Sequence, residues 1–104
     1  MTREILLLVE KCSHCFSYYD VNSGERLHSI PLGEFPHEFV VDAQQRFAYV
    51  GHYGVETSGH LGHGGTQIFQ VDISGRQLVR TIDIAPFNRL HGMLSRYYRL
   101  IVID

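Results

Sequence analysis

Residues 35–50 read FPHEFVVDAQQRFAYV, and this stretch decides the fold. Its two apolar runs, His37–Val41 and Phe47–Gly51, are rich in the β-branched and aromatic residues that favour strands. Between them, Asp42–Gln45 has the composition of a turn. Two short strands joined by a turn predict an antiparallel hairpin.

The rest of the chain continues this pattern. No window shows the i, i+3, i+4, i+7 apolar stripe of an amphipathic helix. Short apolar runs recur instead, with turn residues about every 8–12 positions. The further runs are Ile5–Val9, Phe16–Val21, Arg26–Leu32, Gln67–Ile73, Gln77–Ile84, His91–Leu94 and Leu100–Ile103. We therefore predict an all-β fold with about nine short antiparallel strands.

The strands repeat along the chain. Asp20 and Asp72 lie in similar segments 52 residues apart, whereas Tyr49-Val50 repeats Leu8-Val9 after only 41 residues. The difference of 11 is the extra length of the loop His52–Gly65. The underlying unit has about 41–43 residues and four strands, which is the period of a β-propeller blade. Both aspartates precede turns, so we expect them to bond backbone amides there.

Residues 35–50 resemble the blade signature of YVTN/YncE-like β-propellers, which lactonase-type propellers share. Residues 67–82 resemble the second half of that blade, and residues 90–93 restart it. The resemblance covers nearly the whole chain and implies a partial propeller in one domain, residues 1–104. Residues 1–34 would form blade strands B, C and D, residues 35–86 a full blade, and residues 87–104 strands A and B. Gln45 stands where the family usually has glycine, so we expect a looser turn.

A closed propeller needs about four to eight blades, so this chain holds only part of one. A ring of identical copies does not fit, because the last strand B would duplicate the first strand B of the next copy. We therefore expect an N-terminal fragment of about two blades from a larger propeller. The resemblance implies that the complete propeller has seven blades. A two-blade oligomer is the alternative. In either case Ile5–Val9 would expose an apolar edge and permit self-association through open blade edges.

Charge and apolar run length exclude several classes of partner. The chain has nine basic and eleven acidic residues and no basic stripe, so we expect no nucleic acid partner. Its early apolar run, Ile5–Val9, is shorter than a membrane span of about 20 residues or a signal-peptide core of about 7–15. We expect no membrane partner and a cytoplasmic location. Two cysteines do not make a secreted disulfide framework.

Histidines and cysteines concentrate on one predicted face. Propeller strands alternate in direction, so the B→C and D→A loops lie on the same side. Six of the seven histidines and both cysteines map to that side. Imidazole and thiolate are common ligands of zinc and other late divalent metals. The candidate metal ligands are Cys12, His14 and Cys15 in the first B→C turn, and His52, His60 and His63 in the second B→C loop.

Two more histidines begin consecutive inner strands. His37 and His91 would lie at the mouth of the central channel, and Glu38 is beside the first of them. These three residues are candidates for binding a metal, an anionic ligand or a haem-like group, with a pH dependence typical of imidazole. Structural roles remain open: the cysteines could fill a turn, the loop histidines could be solvated and flexible, and the rim histidines could bond backbone carbonyls.

We therefore expect a module that binds a ligand or a metal on its His-rich face, with a small molecule or a protein as partner. One alternative is a fragment of a lactonase-like hydrolase, in which zinc or another divalent metal polarises a lactone carbonyl. A second alternative is a protein-interaction scaffold. The sequence contains no glycine-rich phosphate loop and no nucleophile elbow, so whether the chain is an enzyme stays open.

Overall fold

The computed structural model describes residues 3–90, 92–96 and 99–103, with side chains as far as residue 93. This part of the chain contains a 3₁₀ turn at Lys11–Ser13 and no α-helix. The strands are β1 (Ile5–Glu10), β2 (Cys15–Asp20), β3 (Arg26–Pro31), β4 (Pro36–Val41), β5 (Phe47–His52), β6 (Gln67–Asp72), β7 (Gln77–Asp83), β8 (Gly92–Arg96) and β9 (Arg99–Ile103). The all-β prediction is confirmed.

The strands form three antiparallel sheets. The first sheet is β1-β2-β3, the second is β4-β5-β6-β7 and the third is β8-β9. Neighbours within each sheet are consecutive in sequence, as in the blades of a propeller. Strand β4 packs against both β1 and β8, so it lies where the three sheets meet. The fold is a partial β-propeller, as the sequence predicts.

The core lies between the first and second sheets. Side chains alternate along β2, so Phe16 and Tyr18 face the second sheet, and both are buried. The ring of Phe16 meets the ring of Phe39 edge to face, with 5.0 Å between centroids. The Tyr18 hydroxyl donates to the carbonyl of Ile73 at 2.7 Å, which links the two sheets through a polar contact. The other buried members of this core are Ile30, Ala48, Val50, Phe69 and Val71.

Turns between the strands are closed by hydrogen bonds to side chains and by hydrogen bonds within the backbone. The carboxylates of Asp20 and Asp72 accept from backbone N–H groups of the turns that follow them, as predicted. Gln45 has φ +55°, the left-handed conformation that glycine usually supplies. Its N–H donates to the carbonyl of Asp42 at 3.0 Å. The turn is therefore closed, and the expectation of a looser turn at Gln45 is wrong.

One side of the first sheet is open. Within the described residues β1 pairs only with β2, whereas the corresponding strand β5 pairs with both β4 and β6. Exposure is 37% for Ile5, 50% for Leu6 and 40% for Leu8. Strand β1 thus presents an apolar edge to solvent. None of the helical turns in the described part of the chain is long or apolar enough to cross a membrane.

Candidate functional site

The His-rich face comprises residues 11–14, 32–35, 53–66 and 84–90, which connect β1 to β2, β3 to β4, β5 to β6 and β7 to β8. Hydrogen bonds show that these connections meet. The Phe35 N–H donates to His14 Nδ1 at 3.0 Å, and the Phe35 carbonyl accepts from the Gly54 N–H at 3.0 Å. The ring of His14 also meets the ring of Phe35, with 4.7 Å between centroids. Loops from the first and second sheets therefore lie on one side of the molecule.

The first of these connections does not bring its three candidate metal ligands together. The 3₁₀ turn leads to His14, which is left-handed with φ +57°, and Cys15 is already the first residue of β2. Cys12 is exposed, whereas Cys15 is buried. The expectation that Cys15 belongs to the turn is wrong, because the strand begins one residue earlier than the sequence indicates. The Cys15 thiol instead contacts Glu10, Ser17 and Arg26.

His52 is the last residue of β5 rather than part of the following loop. Its imidazole lies against Gly33 and Gly65, and its centroid is 5.2 Å from that of the Phe69 ring. The Nδ1 atom is buried and has no hydrogen-bond partner among the residues that the structure describes. Burial lowers the pKa of His52, although the backbone carbonyl and carboxylate of Glu34 act in the opposite direction. The ring is therefore uncharged at neutral pH and closely packed.

The loop 53–66 is closed on itself. The Gly65 N–H donates to the carbonyl of Tyr53 at 2.9 Å, which joins the two ends of the loop. The guanidinium of Arg89 donates to three loop carbonyls, those of Ser58 at 3.1 Å, His60 at 2.7 Å and Gly62 at 2.6 Å. A loop whose ends meet and whose interior is bridged in this way is an Ω-loop.

The two remaining loop histidines have local partners. His60 Nδ1 is 3.4 Å from the Thr57 hydroxyl, and His63 Nε2 is 3.1 Å from the Asn88 amide nitrogen. Across residues 3–90, 92–96 and 99–103, no group of three or more His, Cys, Asp or Glu side chains is arranged to hold a metal ion. The histidines of this face are used mainly to organise its loops.

A cluster at the inner end of the face combines a lysine with two rings. The Nζ atom of Lys11 lies 4.5 Å from the centroid of the Tyr53 ring. The ring of His37 is 5.3 Å from the same Tyr53 ring, which is 8% exposed. We call Lys11, His37 and Tyr53 the rim cluster. Glu38 is exposed beside it in a β-bulge, with φ +55°, and His91 lies outside the described residues.

Sequence reasoning missed two of the three rim residues. Lys11 is the only lysine in the chain, and it directly precedes the segment with the candidate metal ligands Cys12, His14 and Cys15. That uniqueness was a usable signal for a charged site. Tyr53 gave no comparable signal, because it directly follows the strand and reads as an ordinary loop aromatic.

A second polar cluster lies on the outer face of the first sheet and was also missed. Arg26 is at its centre, and its Nη2 atom contacts Glu10 at 2.8 Å. The same nitrogen is 3.2 Å from the Cys15 sulfur. The hydroxyl oxygens of Ser17 and Ser29 lie at 3.1 and 2.9 Å. The cluster assembles because β1 and β2 pair Glu10 with Cys15, while β2 and β3 pair Tyr19 with Arg26.

Glu10 is the charged acceptor of this outer cluster. Hydrogen bonds from the Ser17 and Tyr19 hydroxyls, followed by the Cys15 thiol and the charge of Arg26, lower the pKa of Glu10 to about 2. The pKa of Tyr19 is raised, chiefly because its hydroxyl donates to this carboxylate. Glu10 is therefore ionised at all ordinary pH values and is too weak a base to remove the proton of a thiol.

Gly65 and Gly59 provide a matched test of the His52 packing. A Cβ atom on Gly65 would overlap both the ring and the backbone carbonyl of His52, whereas one on Gly59 would meet only the Thr57 hydroxyl at 3.9 Å. We expect Gly65→Ala to cost about 2 kcal/mol through overpacking. The melting temperature would then fall by roughly 10 °C. Thermal unfolding of both variants checks this, and equal melting temperatures would contradict the packing of His52 against Gly65.

Glu10→Gln tests the outer cluster through its pH dependence. Because the carboxylate has a lower pKa in the folded chain than its ordinary 4.5, it stabilises the fold above that pH and loses the effect as pH falls towards 2. We expect the variant to be less stable than the parent at pH 7 by about 1 kcal/mol, allowing for solvent screening.

Urea unfolding at pH 7, 5 and 3 measures this difference, which should be full at pH 7 and smaller at pH 3. Glu25→Gln is the control, because Glu25 is exposed on the adjacent turn. A difference between parent and Glu10→Gln that does not change with pH would argue against the assignment.

Comparison with known proteins supports the fold. No family model and no curated protein matches the sequence. Among solved structures, the chain is similar to hydrazine synthase from Kuenenia stuttgartiensis, with 19% identity and a TM-score of 0.65. The match covers 81% of this chain but only 22% of the hydrazine synthase chain. That protein contains β-propeller-like domains, so the likeness supports a partial propeller and extends to the fold alone.

Proposed function

We propose that the chain is a YncE-like propeller module that binds a small anionic ligand at the rim cluster of its His-rich face. The observation that carries the proposal is the position of Lys11 over Tyr53, with His37 against the same ring. A cation and an imidazole on one side of the fold suit a small anion, and the buried Tyr53 ring packs against both of them. The YncE-like assignment itself rests on the sequence signature in residues 35–50.

The charge of Lys11 supports an anion rather than a cation as ligand. The ion pairs among the described residues join Arg3 to Asp20 and Arg26 to Glu10, so no described carboxylate neutralises Lys11. Lys11 is half-buried as a residue, and its ammonium lies over an aromatic ring.

The metal-binding alternative has less support. It would use zinc or another divalent metal on the candidate ligands Cys12, His14, Cys15, His52, His60 and His63. No three of these side chains are arranged around one point within the described residues, so binding would require the loops to rearrange. The lactonase-like hydrolase depends on such a metal and shares this weakness.

A protein-interaction scaffold is the second candidate, and the open edge of β1 favours it. Leu6 and Leu8 are 50% and 40% exposed there, and Leu61 at the tip of the Ω-loop is 95% exposed. An unpaired apolar strand can add a strand from a partner or from a second copy of the chain. We propose the cytoplasmic location that the sequence predicts, because a reducing compartment suits two free cysteines.

Inorganic phosphate is a suitable probe for the rim cluster. We expect phosphate, titrated at constant ionic strength and pH 6.5, to shift the NMR signals of Tyr53 and His37 saturably. Lys11→Gln should weaken binding roughly tenfold, the loss expected for one charge-assisted hydrogen bond. Arg46→Gln is the matched control, because Arg46 also lies over an aromatic ring, 4.8 Å from Phe47, and on the opposite side of the fold.

The titration is run at a concentration at which sedimentation shows a single species, so that pairing of β1 edges does not interfere. Equal weakening by the two substitutions, or shifts that never saturate, would contradict the anion site. Elemental analysis of the purified chain tests the metal-binding alternative. A stoichiometric metal would replace the anion proposal with the metal-binding one.

A further inference from the structure

A cavity opens on the side of the fold opposite the His-rich face. It is a cleft of about 640 Å³ between the first and second sheets. Its walls come from the beginning of β1, the end of β4 and the turns after β4 and β6. The lining residues that matter here are Ile5, Leu7, Tyr18, Ile73 and Arg76. Small-molecule pockets in proteins are commonly about 300–1,000 Å³, so the cleft has a suitable size.

The floor of the cleft is apolar. Ile5, Leu7 and Ile73 contribute aliphatic side chains, and Tyr18 contributes its ring. The Tyr18 hydroxyl is already used by the carbonyl of Ile73, so the cleft meets this residue as an aromatic surface. Desolvation raises the pKa of Tyr18, which keeps the side chain uncharged. Such a floor favours a flat, apolar ligand body.

One edge of the cleft carries a positive charge. The guanidinium carbon of Arg76 lies 5.3 Å from the centroid of the Tyr18 ring. Neither ion pair found in the described part of the chain involves Arg76. Asp42 also lines the cleft, and its Oδ1 accepts from the backbone N–H groups of Arg46 and Phe47 at 2.8 and 3.2 Å. The cleft therefore offers one cation beside an aromatic ring, while Asp42 would repel a second negative charge on a ligand.

We infer that this cleft binds a small aromatic monocarboxylate. Its ring packs on the aliphatic side chains of Ile5, Leu7 and Ile73, and its carboxylate pairs with Arg76. A guanidinium can hold a carboxylate through two parallel hydrogen bonds, which fixes its orientation as well as its affinity. The apolar floor accommodates the ring, and Asp42 disfavours dianions. The site is separate from the rim cluster and does not depend on it.

The probe is 2-naphthoate, and 2-naphthylmethanol supplies the same ring system without the charge. The chain has no tryptophan, so naphthalene fluorescence can be followed without an indole background. We expect saturable binding of 2-naphthoate, weakened roughly tenfold by Arg76→Gln, since one charge-assisted contact is lost. Binding of 2-naphthylmethanol should not change with this substitution.

Arg80→Gln is the matched control, because Arg80 is exposed on β7 and does not line the cleft. Ala43→Phe tests the location independently. Ala43 lines the cleft and is exposed, so a larger side chain there should weaken both naphthalene compounds while circular dichroism shows an intact sheet signal. Lys11→Gln should leave both unchanged, which separates this site from the rim cluster.

Three results would overturn the inference. The first is an absence of saturable 2-naphthoate binding by the folded parent chain. The second is equal loss of binding in the Arg76→Gln and Arg80→Gln variants. The third is unchanged binding after Ala43→Phe, which would place the ligand elsewhere.

Discussion

The packing of the first sheet onto the second is the contact on which the rest of the structure depends. Phe16 meets Phe39 at 90° between ring planes, and Tyr18 reaches across to the carbonyl of Ile73. A three-stranded antiparallel sheet with one open edge gains most of its stability from burying one face. Because these contacts fix the two sheets side by side, the connections at both ends of their strands are brought together. The rim cluster lies at one end and the apolar cleft at the other.

Local packing then determines what the His-rich face can do. His52 is confined by Gly33, Gly65 and Phe69, and Arg89 links the carbonyls of the Ω-loop. His14 accepts a hydrogen bond from the Phe35 N–H, so its Nδ1 lone pair is already engaged. These imidazoles hold loops in position more than they converge on a ligand. The Lys11 ammonium is paired with no described carboxylate, which is why we favour an anion over a metal.

Much of the fold could be predicted from the sequence because it depends on local patterns. Apolar alternation and turn residues gave strands close to their observed bounds, and the repeat of Asp20 at Asp72 indicated the blade period. The outer cluster could not be predicted in the same way. Its members come together through register, which pairs Glu10 with Cys15 and Tyr19 with Arg26. Tyr19 likewise faces outward, and its hydroxyl donates to Glu10.

For the candidate site, the sequence could predict where the connections lie but not which side chains contact one another. Alternating strand direction was sufficient to bring the connections that carry His14, His60 and His63 to one side. Which imidazole contacts which partner depends on loop closure at Gly65, and nothing in the spacing of the histidines reveals that. The cleft at the other end could not be predicted from the sequence for a related reason. Its lining is ordinary apolar strand residues, and only their packing creates a cavity beside Arg76.

The contact between the first and second sheets can be measured most directly by nuclear Overhauser spectroscopy on a chain with assigned aromatic signals. We expect cross-peaks between the ring protons of Phe16 and Phe39, whose centroids are 5.0 Å apart. Cross-peaks confined to pairs within each sheet, with none between β2 and β4, would contradict the partial propeller described here.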